Sequence, residues 1–299
     1  MDRLNAMAVI VAVAEAGSLS AAARALRMPV TTVSRKLAEL EAHLKVRLIN
    51  RSTRKLTLTD AGRHFVETSK RILEQVEAAE RTATGEYTTP RGKLSITAPV
   101  SLGRLYVVPI VVAFRQAFPE IDVRLVLSDG LLDHLDNDLD VAIRIGHLSD
   151  SSLIAKRIGT TRLVVCGSPA YLAASGRPKK PQDLARHQCI TFENMASPTA
   201  WSFRIGGRQR SIPLHSWLTV TSAEAAIDAA IAGGGVTRML SYKMAAAQRT
   251  GDLELILEPF ELAPWPISVI YTGQGLLPPK VRAFLNWATP KLKAALRAS

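Results

Sequence analysis

The spacing of the apolar residues changes near residue 90, and this change divides the chain into two parts. Up to about residue 86, apolar residues recur three and four positions apart, as on one face of a helix. From Lys93 onward, short apolar runs such as "DVRLVL" and "RLVVCG" alternate with helical segments, a pattern typical of α/β domains with parallel strands. The 299 residues have room for about two domains. The sequence therefore predicts a helical module followed by an α/β domain.

Positive charge is concentrated in residues 24–55. This segment holds nine Lys or Arg residues against two acids, Glu39 and Glu41, and so supplies a surplus of seven within a net charge of +12. A uniformly basic surface could also explain the net charge, but it would not concentrate the basic residues in one segment. The segment therefore predicts a phosphate-binding module.

Three helices are predicted before residue 45. The first ends at Gly17, which suits a C-cap, and the second begins at Ser18 or Ser20 as N-cap. The third begins at Pro29, where the missing N–H costs nothing. The predicted inward-facing residues are Leu4, Met7, Val11 and Ala14 in the first helix, Ala22, Ala23 and Leu26 in the second, and Val33, Leu37, Leu40 and Leu44 in the third.

The third helix begins with hydroxyl and basic side chains opposite its apolar face. Thr31 and Arg35 lie on this face, together with Ala38 and Ala42, whose small side chains would let a partner come close to the backbone. Such a face alone indicates only contact with solvent. A short helix, a tight turn and a donor-rich helix together predict a helix-turn-helix, whose second helix enters the major groove of DNA.

The run "VRLINRSTRKLTLT" predicts a β-hairpin, or wing, after the third helix. Val46 and Leu48 alternate on one arm, and Leu56 and Leu58 on the other. The tip would then place two arginines against the DNA backbone or in a minor groove.

A long connecting helix is predicted from Thr59, as cap, to about Glu86. Its apolar stripe has spacings of four and three, as in a coiled coil. The stripe could lie on its own domain or form a dimer seam, and its narrowness favours the seam. The side chains predicted in that seam are Phe65, Ile72, Val76 and Ala79. Two-fold pairing would present two recognition helices to a dyad-related site, and residues 88–92 would form a hinge.

The segments "GSLSAAARAL", "VSRKLAELE" and "RLINRSTRKLTLTDAG" resemble the winged helix-turn-helix of LysR-type transcriptional regulators, and the resemblance continues through nearly the whole chain. It implies base contacts near the start of the third helix, phosphate contacts just after them, and wing contacts. Pro29 stands where many members have serine. The predicted DNA-binding residues are Ser20, Pro29, Val30, Thr31, Thr32, Ser34, Arg35, Lys36, Arg51 and Arg54.

The resemblance also implies the domain boundaries. An all-α-dominated winged helix-turn-helix domain would span 1–59, with the helix-turn-helix at about 18–37 and the wing at about 46–58. A linker and dimerisation helix would span 60–89. An α/β effector-binding domain would span 92–299, built from two Rossmann-like subdomains similar to type II periplasmic binding proteins. Subdomain I would cover about 92–166 and 267–299, and subdomain II about 167–266.

A ligand site is predicted where the strand "KLSITA" leads through Pro99 into a helix with Ser101 as cap candidate. Helix N-termini bind anions through their unpaired N–H groups, although an ordinary capped turn would look the same. Arg144 lies near a strand end and could bind a ligand carboxylate or pair with a nearby aspartate. With the positions that the resemblance adds, the predicted effector contacts are Thr97, Pro99, Val100, Ser101, Arg144, Gly146, Cys166, Thr221, Ser222 and Gly234.

The glycine loop that begins at Gly233 departs from the family pattern. Relatives usually follow this loop with Leu-Pro, whereas this chain continues to Ser241 through Thr237 and Arg238. The departure predicts an additional polar or cationic group near the ligand site.

Other classes of protein explain less of the sequence. Walker, GxGxxG, HExxH and GxSxG motifs are absent, which argues against an enzyme. Cys166 and Cys189 lack metal-ligand spacing, so free thiols are favoured over a disulfide or a zinc site. A solute-binding protein would need an export signal, and a scaffold would explain the connecting helix only.

We therefore predict a cytoplasmic, sequence-specific DNA-binding regulator of the LysR type, without cofactor or metal and without membrane contact. Its expected partners are double-stranded DNA with a dyad-related operator, further copies of the chain in a homodimer and a homotetramer, and a small-molecule co-inducer of anionic or aromatic character. RNA polymerase is a further candidate partner.

Overall fold

The computed structural model describes residues 2–51, 56–83, 89–130, 139–147, 153–193, 199–273 and 277–297. At residues 51, 74, 78, 79 and 81–83 it describes the backbone alone. The described residues form two compact units, one ending at Thr89 and the other beginning at Pro90.

The N-terminal unit is a three-helix module with a two-stranded wing and a long final helix. Ser18 Oγ accepts the N–H of Ala21 at 3.2 Å, and Thr59 Oγ1 accepts that of Gly62 at 2.9 Å, which confirms both as caps. The first helix ends at Gly17 with φ of 67°. The elements are α1 (Arg3–Ala16), α2 (Leu19–Ala25), α3 (Val30–Leu44), β1 (Ile49–Arg51), β2 (Leu56–Leu58) and α4 (Asp60–Ala83).

The buried face of α1 differs from the predicted one. The buried residues are Ala6, Val9, Ile10 and Val13, whereas Leu4 is 41% exposed. Because α1 is apolar around most of its circumference, spacing alone could not select the face that packs. In α3 the predicted core residues Val33, Leu37 and Leu40 are buried, but Leu44 is 36% exposed because the helix ends there.

The first turns of α4 pack on their own module. Val66 is buried in the module's core, Phe65 packs against that core, and Ser69 is 1% exposed. A Cβ atom at Gly62 would lie 1.9 Å from the backbone oxygen of Leu48, so only glycine allows this approach between α4 and the wing. Phe65 therefore packs in part on its own module, and its place in a dimer seam stays a prediction.

The remaining seam residues lie farther along α4. Ile72 and Val76 are half-buried within the single chain. The side chain of Ala79 lies outside the described residues.

The C-terminal unit consists of two lobes, each built around a five-stranded mixed sheet. In the first lobe the strand order is β4-β3-β5-β14-β6, with β3 parallel to both β4 and β5 and with β14 antiparallel to its two neighbours. The first-lobe strands are β3 (Gly92–Ala98), β4 (Ile121–Leu127), β5 (Val141–Ile145), β6 (Leu153–Thr161) and β14 (Trp265–Thr272), and the helices are α5 (Val100–Leu102), α6 (Val108–Ala117) and α10 (Pro279–Arg297).

The second lobe has the strand order β11-β8-β12-β7-β13 and a separate hairpin, β9–β10. Its strands are β7 (Leu163–Gly167), β8 (Cys189–Phe192), β9 (Ala200–Ile205), β10 (Arg208–Pro213), β11 (Ser216–Val220), β12 (Val236–Leu240) and β13 (Glu254–Ile256). Its helices are α7 (Pro169–Ser175), α8 (Ala223–Ile231), α9 (Ser241–Thr250) and the 3-10 helices Pro181–Arg186 and Glu258–Phe260.

The chain passes between the lobes at two places. Because β7 belongs to the second sheet, the first crossing lies at Arg162, earlier than the predicted boundary near residue 167. The return crossing precedes β14, which begins at Trp265.

The helix predicted to start after its cap candidate Ser101 begins instead at Val100. A π-helical turn, Gly103–Val107, separates α5 from α6. Residues 100–117 have the length and apolar character of a membrane span. However, Leu102, Val107 and Phe114 are fully buried in the core of the first lobe, so this stretch has a packing role within the domain.

Candidate nucleic-acid interface and effector site

The start of α3 presents unpaired backbone N–H groups and small polar side chains. Pro29 is the N-cap and supplies no side-chain acceptor for the first-turn amides. Thr31 is exposed, Thr32 and Ser34 are half-buried, and Val30 is 43% exposed. Free amides and hydroxyls at a helix N-terminus suit contact with phosphates and base edges.

The two basic residues of this segment have different local partners. Arg35 is exposed and forms an ion pair of 2.7 Å with Glu39 on the next turn. Lys36 turns toward α1 and donates from Nζ to Asn5 Oδ1 at 2.6 Å. This contact corrects the prediction that Lys36 points to phosphate, because its ammonium already ties α3 to α1.

Ser20 and the outward alanines are exposed, as the helical pattern predicts. Ser20 lies in α2, and Ala38 and Ala42 lie on the open side of α3. Of the predicted wing contacts, Arg51 ends β1 but its side chain is not described, and Arg54 lies outside the described residues.

Glu41 connects the recognition helix to the wing, and no motif in the sequence indicates this role. Its Oε1 accepts the N–H groups of Leu48 at 2.8 Å and Ile49 at 3.0 Å. Both residues are almost fully buried. The carboxylate thus satisfies two buried donors that begin β1, and it sets the path of the chain from α3 into the wing.

The predicted anion site at the start of α5 already has acidic partners within the chain. Val100 N–H donates to Asp129 Oδ1 at 3.0 Å. Pro99, not Ser101, is the N-cap, which corrects the capping prediction. Ser101 Oγ instead donates to Glu224 Oε1 in the second lobe at 2.7 Å.

A set of polar contacts joins the two lobes at this position. Lys243 Nζ lies 3.7 Å from Asp129 Oδ2, and only 4% of the Lys243 side chain is exposed. Its ammonium also lies 5.0 Å from the centre of the Phe192 ring. We define Ser101, Tyr106, Asp129, Glu224, Tyr242 and Lys243 as the interlobe cluster.

The aromatic members of the interlobe cluster meet edge to face. The rings of Tyr106 and Tyr242 have centroids 6.1 Å apart and an interplanar angle of 67°. The Tyr242 hydroxyl is buried and has no hydrogen-bond partner among the described residues. Burial, together with nearby Asp129, raises the pKa of Tyr242, so this group remains a proton donor.

The ionisable members respond to burial in different ways. Burial lowers the pKa of Lys243, while Asp129 and Glu224 oppose that change. For Glu224, burial would raise the pKa, but hydrogen bonds from Ser101, its own backbone and Ser222 lower it overall. The cluster therefore contains two carboxylates that accept hydrogen bonds of normal length. It also contains a buried lysine whose ammonium lies 3.7 Å from Asp129 Oδ2.

Two further predicted contacts lie at the ends of first-lobe strands. Thr97 is fully buried, and its hydroxyl has no partner among the described residues. Arg144 is half-buried at the end of β5, and burial lowers the pKa of its guanidinium. No ion pair of Arg144 is found with any described acid. Gly146 follows with φ of 110°, a conformation that favours glycine.

The second-lobe predictions divide into exposed and core positions. Thr221 and Ser222 are exposed at the start of α8, where Ser222 Oγ accepts the N–H of Ala225 at 3.3 Å. Gly234 accepts a hydrogen bond of 2.8 Å from the indole of Trp217. Cys166 is wholly buried in the core beneath α8, which corrects its assignment as an effector contact.

The two cysteines are free and lie in different cores of the second lobe. Burial raises the pKa of each thiol to about 12. Among the described residues, no group of three His, Cys, Asp or Glu side chains is placed to hold a metal ion.

The additional cation predicted after the glycine loop is Arg238, and it is buried in the second lobe. Its guanidinium lies 5.2 Å from the centre of the Trp201 ring and 6.0 Å from that of Phe203. It also donates to the backbone oxygen of Ser202 at 3.1 Å. Burial lowers its pKa to about 10. Arg238 therefore holds the β9–β10 hairpin, and its side chain is not a member of the interlobe cluster.

A winged helix-turn-helix, a long connecting helix and a two-lobed domain with a polar cluster between its lobes define a ligand-responsive DNA-binding regulator. Two family models match the chain. "Bacterial regulatory helix-turn-helix protein, lysR family" matches residues 4–63, and "LysR substrate binding domain" matches residues 88–293. The chain belongs to the LysR family of transcriptional regulators.

Individual relatives agree with this assignment. An HTH-type transcriptional repressor of Pseudomonas aeruginosa is 33% identical over 289 residues, covering 96% of this chain and 91% of the relative. The HTH-type transcriptional activator AaeR of Escherichia coli K12 is 32% identical over 301 residues, covering 97% and 94%. The structure of CrgA, a LysR-type regulator from Neisseria meningitidis, has a TM-score of 0.62 at 29% identity and covers 96% and 98%.

Proposed function

We propose that this LysR-type regulator responds to a small aromatic carboxylate bound at the interlobe cluster. The observation that carries the proposal is the imbalance of hydrogen bonds in the cluster. Asp129 and Glu224 already accept hydrogen bonds from Val100, Ser101 and Ser222. The Tyr242 hydroxyl has no acceptor among the described residues, and the Lys243 ammonium has a 3.7 Å contact with Asp129 and a contact with the Phe192 ring.

Unpaired donors favour a ligand that supplies acceptor oxygens. A buried hydroxyl without a partner costs about 1–3 kcal/mol, and a ligand carboxylate near Tyr242 and Lys243 would recover that cost. The rings of Tyr106 and Phe192 favour an aromatic body. A ligand that contacts both lobes would bind one lobe arrangement better than another, as a conformational response requires.

For DNA recognition we propose that Thr31 and Ser34 read base edges while Arg35 contacts phosphate. Dimers pair through α4 and present two recognition helices to a dyad-related operator, and effector domains assemble dimers into tetramers. The regulator would act in the cytoplasm, where it could also meet RNA polymerase. Ligand binding would change the spacing or bend of the bound half-sites.

Ligand specificity is tested by isothermal titration calorimetry with benzoate and its neutral analogue benzamide. We expect the wild-type protein to bind benzoate more tightly than benzamide. Tyr242→Phe should weaken benzoate binding about 10- to 150-fold, the equivalent of one hydrogen bond to a charged group at about 1.5–3 kcal/mol. Because the hydroxyl has no partner among the described residues, the same substitution should leave the melting temperature unchanged or raise it.

The control for this test is Tyr271→Phe, which removes a hydroxyl from the first lobe outside the cluster. Tighter binding of benzamide than of benzoate would contradict a carboxylate ligand. A DNase footprint that stays the same with every carboxylate tested would contradict ligand control itself.

DNA recognition is tested by binding selections with the wild type, Thr31→Ala and Arg35→Ala. Thr31→Ala should relax discrimination at one operator position by about 1–3 kcal/mol. Arg35→Ala should weaken binding to all sequences and reduce the salt slope by about 0.9, the value for one phosphate. Absence of sequence-selective binding by the wild type would refute the proposed recognition.

A further inference from the structure

The effector domain has a strongly basic surface of its own. Residues 90–299 contain 24 Lys or Arg against 16 Asp or Glu, an excess of eight. Two short segments, 176–188 and 200–213, contain seven of these cations and one acid, an excess of six in 27 residues. The remaining 183 residues of the domain therefore carry an excess of only two.

The two basic segments are packed together in the second lobe. The first contains the 3-10 helix Pro181–Arg186, and the second is the β9–β10 hairpin. Leu184 of the helix shares one buried core with Trp201 and Phe203 of the hairpin, and β10 contacts the helix directly. We call their six exposed cations the basic hairpin surface: Lys179, Lys180, Arg186, Arg204, Arg208 and Arg210.

The cations of this surface form no ion pair with an acid of the described residues. No ion pair within 4.0 Å joins any of the six to a described acid, whereas nearby Arg177 pairs with Glu254. The single acid of the two segments is Asp183, whose carboxylate accepts the backbone N–H groups of Lys179 and Lys180. Ordinary protein surfaces intersperse the two signs of charge, so six exposed cations with a single acid on two packed segments indicate an anionic partner.

The hairpin holds its arginines on a firm frame. Gly206 and Gly207, with φ of 58° and 77°, form the tight turn between the strands. In the register, Arg208 and Arg210 pair with Ile205 and Phe203 and share one face of the hairpin, whereas Arg204 pairs with Gln209 on the other face. Arg208 and Arg210 are two residues apart on one strand, about 7 Å along it. This distance is about twice the 3.4 Å of helix axis that separates successive phosphates of one DNA strand.

The chemistry favours nucleic acid over an anionic membrane. Three of the six cations are hairpin arginines, whose planar guanidinium groups bind phosphate through two hydrogen bonds. Membrane-surface binding also needs exposed apolar anchors. No large apolar side chain of either segment is among the exposed ones in the described part of the chain. We propose that the basic hairpin surface is a second DNA contact, which binds the phosphate backbone independently of the helix-turn-helix.

The test measures the salt dependence of binding by the full-length protein to a random-sequence DNA duplex, using fluorescence anisotropy. Phosphate contacts do not depend on sequence, so no operator is needed. Arg204→Gln, Arg208→Gln and Arg210→Gln combined should reduce the slope of log K against log salt by about 1.8, because Arg208 and Arg210 share one face of the hairpin and each lost phosphate contact removes about 0.9. A second variant leaves the hairpin unaltered and combines Lys179→Gln, Lys180→Gln and Arg186→Gln. It should also reduce the slope.

The matched control removes the same charge from other exposed positions of the domain. Combined Arg115→Gln, Arg249→Gln and Arg297→Gln should leave the slope near the wild-type value. Equal slopes for the wild type and both basic-surface variants would overturn the proposal. So would variants that lose binding to phosphatidylglycerol vesicles while keeping the wild-type DNA slope, because that result assigns the surface to membranes.

Failure of this proposal is distinguishable from failure of the proposed function. If the wild type binds its operator selectively and the variants keep the full slope, only the second contact is refuted. If the wild type selects no sequence but the variants lose slope, recognition by the helix-turn-helix is refuted and the second contact stands.

Discussion

At the residue scale, Arg238 shows how a buried charge can be retained without an acid. Its guanidinium lies over Trp201 and Phe203 and donates to Ser202. The negative faces of two aromatic rings offset part of the cost of removing the charge from water. The sequence indicated an unusual cation after the glycine loop, but it could not reveal that the hairpin folds over it.

We expect Arg238→Met to change the free energy of unfolding by less than about 1.5 kcal/mol, because methionine fills similar space without the cost of burying a charge. Arg238→Ala should cost about 2–4 kcal/mol, since it also leaves a cavity beneath the hairpin. Urea unfolding followed by tryptophan fluorescence would measure both values. Equal losses in the two variants would show that the charge itself, not the packing, holds the hairpin.

At the element scale, local signals predicted structure better than distant ones. Ser18, Thr59 and Gly17 act within three residues of the helix ends that they cap, so their roles could be read from spacing. Ser101 was expected to cap a helix, but its hydroxyl meets Glu224, 123 positions away in the chain. Lys36 was expected at phosphate, but its ammonium donates a hydrogen bond to Asn5 Oδ1 of another helix. Such partners depend on the tertiary fold and leave no periodic pattern.

Glu41 fixes the connection between α3 and the wing, so its substitution should affect the backbone amides of Leu48 and Ile49. Glu41→Ala leaves the buried N–H groups of Leu48 and Ile49 without their acceptor, at about 1–3 kcal/mol for each. Hydrogen exchange at these amides should therefore accelerate, and DNA affinity should fall. Glu41→Gln keeps an acceptor oxygen and should retain most of the protection.

Glu39→Ala is the matched control for this experiment, because it removes an acid from the same helix and breaks the Arg35 ion pair. It should not change exchange at Leu48 or Ile49. Unchanged protection in Glu41→Ala would contradict the proposed role in the wing.

At the scale of the whole molecule, α4 serves both the fold of its module and the proposed assembly. Its first turns bury Val66 and Ser69 within the module, whereas Ile72 and Val76 remain half-buried in the single chain. Packing on its own module thus applies to the first turns of α4, and the dimer seam stays a prediction for the later turns. A period of three and four residues cannot by itself distinguish packing within a chain from packing between chains.

Val76→Asp should dissociate the dimer, because it places a charge in the seam. Sedimentation equilibrium should show the monomer mass at concentrations where the wild type is dimeric, and affinity for a two-half-site operator should fall. Gln75→Asp introduces the same charge at the exposed neighbouring position and should leave the dimer intact. A dimeric Val76→Asp variant would place the seam elsewhere.

The close approach of Gly62 to Leu48 has a consequence for inheritance. Any side chain at position 62 collides with the wing backbone, while the later turns of α4 and the whole effector domain are left untouched. A Gly62→Val chain should therefore still pair with normal copies and inactivate the dimers that it enters. In a cell that carries both alleles, we expect the damaged allele to be dominant in a reporter assay, and adding Val76→Asp to it should make it recessive.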